Sequence, residues 1–534
     1  MSYRIGIDFG TCFSFIAYWS ESAKGICTLI NPITRTPYEI PSVFFHGDRE
    51  KMRNLCGFEA DELTDGIRGT ADEEKYAVRY IKQQLLGENF ELKGGTKSPK
   101  EIATSFFSYL AGLAREGIHA EDHNEQESAN PSDEPLEAVI AVPVVFTQRE
   151  RSVIIEAADE AGITVIGLIE EPVAIAIDYI EHIKNKDELE PVLVYDLGGG
   201  TVDVACIKYH PSKTHEIAVS GGTRVLMPAE NAYEVVLSEG KRIGGVKWDE
   251  MLSEDILSRY EEEYKSPPAD NHATPFHRIV TTTKHALSKF PEVNFPFSYT
   301  DSNNVAHNRE ILTSRKHFEE KTSGLLKETL DCVRVVSSRC GLKSGSKVRV
   351  VLSGGSSRMP QVREGVTRIL EEELGVVISN KSRMLFRHEQ AVALGAARYA
   401  NTLARRDTTS GVYGVALCDK HGQLKNEVLL IDKGQALPVN PVEWTINATP
   451  EDGMEIVVIE SYDKVPHYLT QTDKVMGIRL NIENAAPTPI SGTLSIQKGG
   501  VLKLTAAHPE TGVVETQFFS MNTFPHPRRL KVKH

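Results

Sequence analysis

Up to about residue 403 the apolar positions follow two alternating patterns. Short runs dense in β-branched and aromatic residues, at Tyr3–Phe9, Cys12–Trp19 and Ala138–Phe146, read as strands, the last of them buried. Other stretches place apolar residues at helical spacing: Ile102, Phe106, Leu110 and Leu113 share one face over Pro99–Arg115. Thr147-Gln148-Arg149-Glu150 has the spacing of a capping box, and Gly162 supplies a stop for the helix it opens. Pro360 suits a first helical turn and Gly375 a helix end. Strands alternating with helices of this length predict an α/β architecture.

Two segments interrupt the alternation. Glu116–Pro135 is acidic and almost without periodic apolar residues, so it reads as a solvated loop. Tyr209–Asn231 lies between two β-like runs and reads as an extended hairpin or an added surface feature. From Thr402 to Gly411 the chain turns polar, as a linker does. Beyond it the helical period is lost. Short β runs recur at Val412–Ala416, Val428–Ile431, Trp444–Asn447, Ile456–Ser461, Gly477–Ile482, Leu494–Gln497, Val501–Ala506 and Val513–Phe519, separated by turns such as Lys498-Gly499-Gly500. That spacing predicts an all-β sandwich. Core is the default reading for Val428, Leu430 and Ile431, with a binding groove the alternative. The stretch after Phe519 is too short for another domain.

One pattern occurs twice. Ile5-Gly6-Ile7-Asp8-Phe9-Gly10-Thr11 and Val194-Tyr195-Asp196-Leu197-Gly198-Gly199-Gly200-Thr201 each run from an apolar strand through Asp and glycine to Thr and a returning strand. This predicts a duplicated core. Glycines let backbone N–H groups approach an anion closely, and consecutive N–H groups form a phosphate nest. An Asp at the strand end cannot face a phosphate directly, so a cation must lie between them, and hydrated Mg²⁺ suits. Either turn alone reads equally well as a tight hairpin. A third element, Val350–Pro360, adds a glycine pair and Arg358, a candidate to stack on a base; alone it reads as an Arg at a helix start. No GxxxxGK[ST] occurs, and no GxGxxG opens a helix, which argues against a P-loop and a dinucleotide fold.

Composition narrows the class. Of 534 residues, 60 are Lys or Arg and 74 Asp or Glu, a formal net charge of −14 that disfavours nucleic acid and anionic membranes as partners. No apolar run approaches membrane-helix length, and the N-terminus lacks the pattern of a signal peptide. Seven scattered cysteines without a CxxC fit reduced thiols, so a cytoplasmic protein is expected.

The stretches IGIDFGTCFS at 5–14, AVIAVPVVFTQRERSVIIEAADEAGITVIGLIEEPVAIAI at 138–177, DLGGGTVDVA at 196–205, RIGGVKWDE at 242–250 and VLSGGSSRMPQV at 351–362 together resemble the nucleotide-binding domain of the seventy-kilodalton heat-shock chaperones, the DnaK-type family, within the actin-like ATPase superfamily. VLLIDKGQALP at 428–438 and GVLKLTAAHPETGVVET at 500–516 resemble the family's β substrate domain. The resemblance implies an actin-like fold of duplicated ribonuclease-H-like lobes over 1–403, lobe I at about 1–184 and 379–403 and lobe II at about 185–378. A linker would follow at 404–412, then a β-sandwich at 413–520 and a tail at 521–534.

It also implies ATP or ADP with Mg²⁺. Asp8 and Asp196 would position the metal through water. Gly10, Thr11, Cys12, Gly198, Gly199, Gly200 and Thr201 would line the phosphates, Asp203 would hold the metal or water network, and Glu171 would sit near the attacking water. Lys82, in Tyr80-Ile81-Lys82-Gln83-Gln84-Leu85-Leu86-Gly87, matches a lysine beside the γ-phosphate; a lone Lys on an amphipathic helix otherwise reads as surface. Lys284, Ser288, Gly354, Gly355 and Arg358 would flank the adenosine. Pro143 and Arg151 match a relay that passes nucleotide state outward.

There are departures. Cys12 stands where the family has Thr, His285 where an Arg stacks on adenine, and Thr281 where a Glu meets the sugar, which predicts weaker or less adenine-selective binding. Arg405–Ser410 is polar where the family's linker is leucine-rich, and no helical lid is expected beyond the β domain, so a client would exchange quickly. The leading expectation is an ATP-hydrolysing chaperone that binds unfolded or extended polypeptide, served by a co-chaperone or nucleotide exchange factor. The alternative is a nucleotide-gated adaptor with little hydrolysis. A metabolite kinase ranks last, since it has no use for a terminal β-sandwich.

Overall fold

The computed structural model describes residues 3–531 apart from 21, 32–33, 35, 48–53, 66–72, 123–134, 187–188, 212–213, 219–223, 229–231, 265–275, 301–304, 387–388, 404–408, 410–411, 419–423, 449–454, 462–465, 472–473, 476, 480–487, 498, 521–522 and 525–528. Two sheets of the same order organise its α/β part. The first is built from β1 (Tyr3–Asp8), β2 (Phe13–Ser20), β3 (Gly25–Thr28), β4 (Leu136–Val142) and β5 (Ile163–Glu170), in the order β3-β2-β1-β4-β5. The second is built from β6 (Val192–Leu197), β7 (Val202–Tyr209), β8 (Tyr233–Lys241), β9 (Lys347–Ser353) and β10 (Val377–Ile378), in the order β8-β7-β6-β9-β10. In each sheet the central strand pairs antiparallel with the strand after its turn and parallel with a later one. Asp8 and Asp196 therefore close equivalent strands.

The central strands are near-continuous apolar runs because helices cover both of their faces. Ile5 and Ile7 of β1 and Leu193–Tyr195 of β6 are fully buried. The covering helices include α1 (Pro99–Asp122), α2 (Gln148–Glu160), α3 (Glu171–Glu181), α4 (Gly245–Tyr264), α5 (Phe276–Leu287), α6 (Ser323–Arg339), α7 (Pro360–Thr367) and α8 (Ala391–Thr402). The α2 start is a full capping box: Glu150 N–H donates to Thr147 Oγ1, and Thr147 N–H donates to the Glu150 carboxylate. Glycine sets the closest contact. A Cβ at Gly395 of α8 would stand 1.9 Å from the Ala174 carbonyl oxygen of α3, so α8 and α3 touch backbone to backbone.

Glu116–Asp122 is not loop but the end of α1, because Ile118 continues the buried row of Leu110 and Ala114. Positions 123–134 of that acidic stretch, like most of the polar linker, lie outside the described residues. The 209–231 segment contains a hairpin, Thr214–Ala218 against Arg224–Pro228.

The C-terminal part holds β11 (Val412–Cys418), β12 (Leu424–Ile431), β13 (Val439–Ala448), β14 (Glu455–Ser461), β15 (Pro466–Gln471), β16 (Thr488–Ile496), β17 (Val501–Ala507) and β18 (Val514–Ser520). They form two sheets, β12-β11-β14-β15 and β13-β16-β17-β18, around a core of Trp444, Val458, Leu494, Leu504 and Phe519. Ile431 is core, Val428 and Leu430 pack partly against it, and Leu429 is exposed. β15 was not legible in the sequence pattern. Thr409 ties the chain entering this unit: its N–H donates to Gln435 O and its hydroxyl to Asp432 O.

This β unit lies against the first sheet. Val501 and Phe518 join the same buried cluster as Ile163, Val165 and Leu168. The Ser152 hydroxyl donates to Phe518 O and accepts from Phe518 N–H, and Gln148 Nε2 donates to Phe518 O at 2.7 Å. The stretch after β18 is short, yet it is drawn into sheets: β19 (Thr523–Phe524) runs parallel to β5, Thr523 opposite Leu168 and Phe524 opposite Ile169. The unpaired N–H and C=O groups of an edge strand favour such addition. Deleting residues 521–534 is expected to speed amide exchange along Leu168–Glu170 by roughly tenfold or more. Unchanged exchange there would refute the pairing.

Candidate active site

The two repeated turns face one another at the ends of β1 and β6. A Cβ at Gly199 would stand 2.6 Å from Cys12 Sγ, and one at Gly200 would stand 2.6 Å from Thr11 Oγ1 and 2.4 Å from Gln83 Nε2. Only glycine lets the turns approach this closely. Gly245 N–H donates to Gly198 O and Val246 N–H to Gly199 O, so the start of α4 holds the second turn. Gly354, at φ +79, carries the backbone past Leu197 O and the Asp196 carboxylate, where any Cβ would collide.

Lys82 is on a one-turn 3₁₀ helix, Ile81–Gln83, rather than on an amphipathic α-helix, and it is turned inward by Tyr80 at φ +59. Its Nζ meets Glu171 Oε1 at 2.5 Å, and both side chains are buried. Glu171 heads α3, where the helix dipole favours an acid. Around this pair stand Asp8, Asp196 and Asp203, so one ammonium serves four carboxylates. Burial pushes the Asp8 carboxyl up to about 7, against the pull of Lys82. Burial, then Glu171, raises Asp196 well above the usual range. Burial and Glu171 raise Asp203 to about 8, against hydrogen bonds from the Thr201 hydroxyl and the Val144 N–H. Burial disfavours the Lys82 charge, but Glu171, Asp8 and Asp203 outweigh it and hold the ammonium above its ordinary value.

Among the described residues, no three His, Cys, Asp or Glu side chains gather closely enough to ligate a metal directly. The donor set fits a cation held through its own waters. Asp203 Oδ2, Ser353 Oγ and Ser357 Oγ are buried without hydrogen-bond partners, and the excess carboxylate charge calls for a positive group. A pH test follows. Acids whose folded pKa is raised stabilise the fold fully below their unfolded pKa, and that contribution is lost as pH rises through the folded value. Metal-free, nucleotide-free protein is therefore expected to melt at falling temperature as pH rises from about 5 to about 8, the window set by Asp8 and Asp203. Mg·ADP should raise the melting temperature more at the upper end than at the lower. A pH-independent increment would count against this charge balance.

The residues expected to flank adenosine are gathered but engaged. Lys284 donates to Gly245 O at 2.9 Å and pairs with Asp249 at 2.8 Å. Ser288 turns its hydroxyl back to Lys284 O. Arg358, half exposed, pairs with Glu389 at 2.5 Å. Burial and then Lys284 lower the His285 imidazole below its ordinary value, so it is neutral at pH 7. Sequence reasoning missed Gln83, Asp249 and Glu389 as members of the site. Asp249 lies inside the RIGGVKWDE motif; no local pattern marks Glu389 as the partner of Arg358. Arg151 is buried, with Nε donating to Phe146 O and a guanidinium nitrogen 3.6 Å from Glu170, beside the Pro143–Val144 segment whose N–H holds Asp203.

Two like-ordered sheets meeting at glycine turns, with a β unit packed on one of them, define a mixed α/β protein built around a cleft of buried carboxylates. The family model described as Hsp70 protein matches residues 124–518, most of the chain. The chain belongs to the Hsp70 family. Members of that family are generally ATPases that bind ATP or ADP with Mg²⁺ and act on unfolded polypeptides with co-chaperones. Among the described residues no helix is long and apolar enough to cross a membrane.

Proposed function

We propose that this protein is an ATP-hydrolysing chaperone with actin-like lobes, whose β unit binds extended polypeptide. The reading is carried by the buried Lys82–Glu171 pair between the two phosphate-type turns. In this reading the Thr11 and Thr201 hydroxyls and the N–H groups of Gly198–Thr201 hold phosphate oxygens, and Gly354 and Gly355 admit the nucleoside. Asp8 and Asp196 would hold hydrated Mg²⁺, which supplies charge neutralisation at the phosphates when bound. Glu171 orients the attacking water and takes up its proton, while Lys82 offsets charge developing on the γ-phosphoryl group. Positioning supplies most of the acceleration.

Client binding through the β unit is supported by its apolar exposed positions, Leu429, Val513 and Val514, each more than half exposed. Placement in the cytoplasm rests on seven cysteines, none of them joined in a disulfide. One observation favours the adaptor reading: Arg358 and Lys284 are already neutralised by Glu389 and Asp249, which leaves less charge for a nucleotide.

Single-turnover phosphate release from radiolabelled ATP, measured beside ATP binding, separates the two readings. Release faster than spontaneous hydrolysis supports the ATPase. Binding with no release beyond background gives the adaptor instead. Weak ATP affinity is expected from Cys12, Thr281 and His285, and a submicromolar dissociation constant would contradict that expectation.

A further inference from the structure

A second cavity, of about 540 Å³, lies away from the cleft between the end of α3 and the β9–β10 side of the second sheet. One wall is aromatic: Phe386 meets Tyr179 edge-on with ring centres 5.1 Å apart, and His182 at 5.6 Å. Arg349, Arg363 and Arg383 also line it, with no carboxylate among the described lining residues. Of the three guanidiniums, Arg349 is already engaged, paired with Glu190 at 2.9 Å and hydrogen-bonded to Tyr179. Arg363 donates only to the Lys381 carbonyl, and the Arg383 side chain has no hydrogen-bond or ion-pair partner among the described residues. Asn380 stiffens the loop that carries these groups. Its amide donates to Val350 O at 2.7 Å and its carbonyl accepts from Val350 N–H at 2.8 Å.

The cavity thus keeps net positive charge in a chain of formal charge −14. Its size falls in the range of small-molecule pockets. Guanidinium forks match phosphate oxygens in pairs, and a flat apolar ring packs on an aromatic wall. A short aliphatic anion would leave that wall uncovered, and a neutral ring would leave two guanidiniums unmatched.

We propose that this cavity is a ligand site for a small aryl phosphate, a phosphate group borne on a planar ring. It makes no use of the cleft or of ATP, so it stands or falls apart from the chaperone reading.

The test is calorimetric titration of phenyl phosphate into the full chain saturated with Mg·ADP. One-site binding is expected, with a dissociation constant on the order of 0.1–1 mM for so small a probe. Arg363→Ala/Arg383→Ala should weaken it by roughly tenfold or more, without changing ADP affinity or melting temperature. Phe386→Leu should weaken phenyl phosphate more than inorganic phosphate. Three results would overturn the site: no saturable heat up to about 10 mM probe, binding that survives the double Arg substitution, or inorganic phosphate bound as well as phenyl phosphate. A phosphotyrosine peptide bound far more tightly than the probe would reassign it to a protein partner.

Discussion

Glu171→Ala is expected to lower single-turnover ATP hydrolysis by roughly 10²–10³-fold while ATP binding persists, because the variant loses the group that orients and deprotonates the attacking water. Lys82→Ala should lower hydrolysis comparably, since its ammonium is the cation paired directly with Glu171 Oε1. The two losses should not add: each single variant already breaks the one pair, so the double variant is expected to fall little further. Lys82→Ala should differ from Glu171→Ala in one respect. It leaves Asp8, Asp196, Asp203 and Glu171 without their buried cation, so the metal-free protein should lose stability, and Mg·ADP should restore it. Glu171→Ala removes a negative charge from the same crowd and should not need that rescue. Wild-type rates in both variants would remove the pair from the mechanism.

Arg151→Leu should be among the most destabilising single changes outside the cleft, by about 3–5 kcal/mol, because it removes the guanidinium that stands 3.6 Å from the buried Glu170 carboxylate. Arg151 is 2 % and Glu170 1 % exposed, so water cannot replace the guanidinium. The guanidinium also donates to Phe146 O, and that carbonyl would lose its partner. Burial weakens the Arg151 charge, though Glu170 opposes the effect. Replacing both residues, as Arg151→Leu/Glu170→Leu, should recover most of the loss, as paired removal of buried ions often does. Denaturant unfolding with unchanged slope gives the comparison. A cost near zero for Arg151→Leu alone would mean that Glu170 is protonated or hydrated.

Much of the cleft was legible from residue types. Asp-Gly-Thr turns need glycine for close approach and an acid for a cation, so the pattern can be read wherever it occurs. Lys82 was harder, because its inward turn depends on Tyr80 at φ +59, which no local propensity announces. The acidic stretch misled at Glu116–Asp122: its charges look solvated, but Ile118 anchors that last turn in the core.

By itself the sequence determined the alternation of strands and helices, the duplicated turns, the capped start of α2 and the β-rich C-terminal unit. These are local matters of side-chain period, backbone freedom and short-range hydrogen bonding. Tertiary structure alone decided which acid faces which cation: Lys82 with Glu171, Arg358 with Glu389, Lys284 with Asp249. It alone set the β unit against β5 and gathered three arginines beside Phe386. Such pairings join residues tens to hundreds of positions apart, and they depend on how the sheets stack and on the low dielectric that burial creates, neither of which a local pattern encodes.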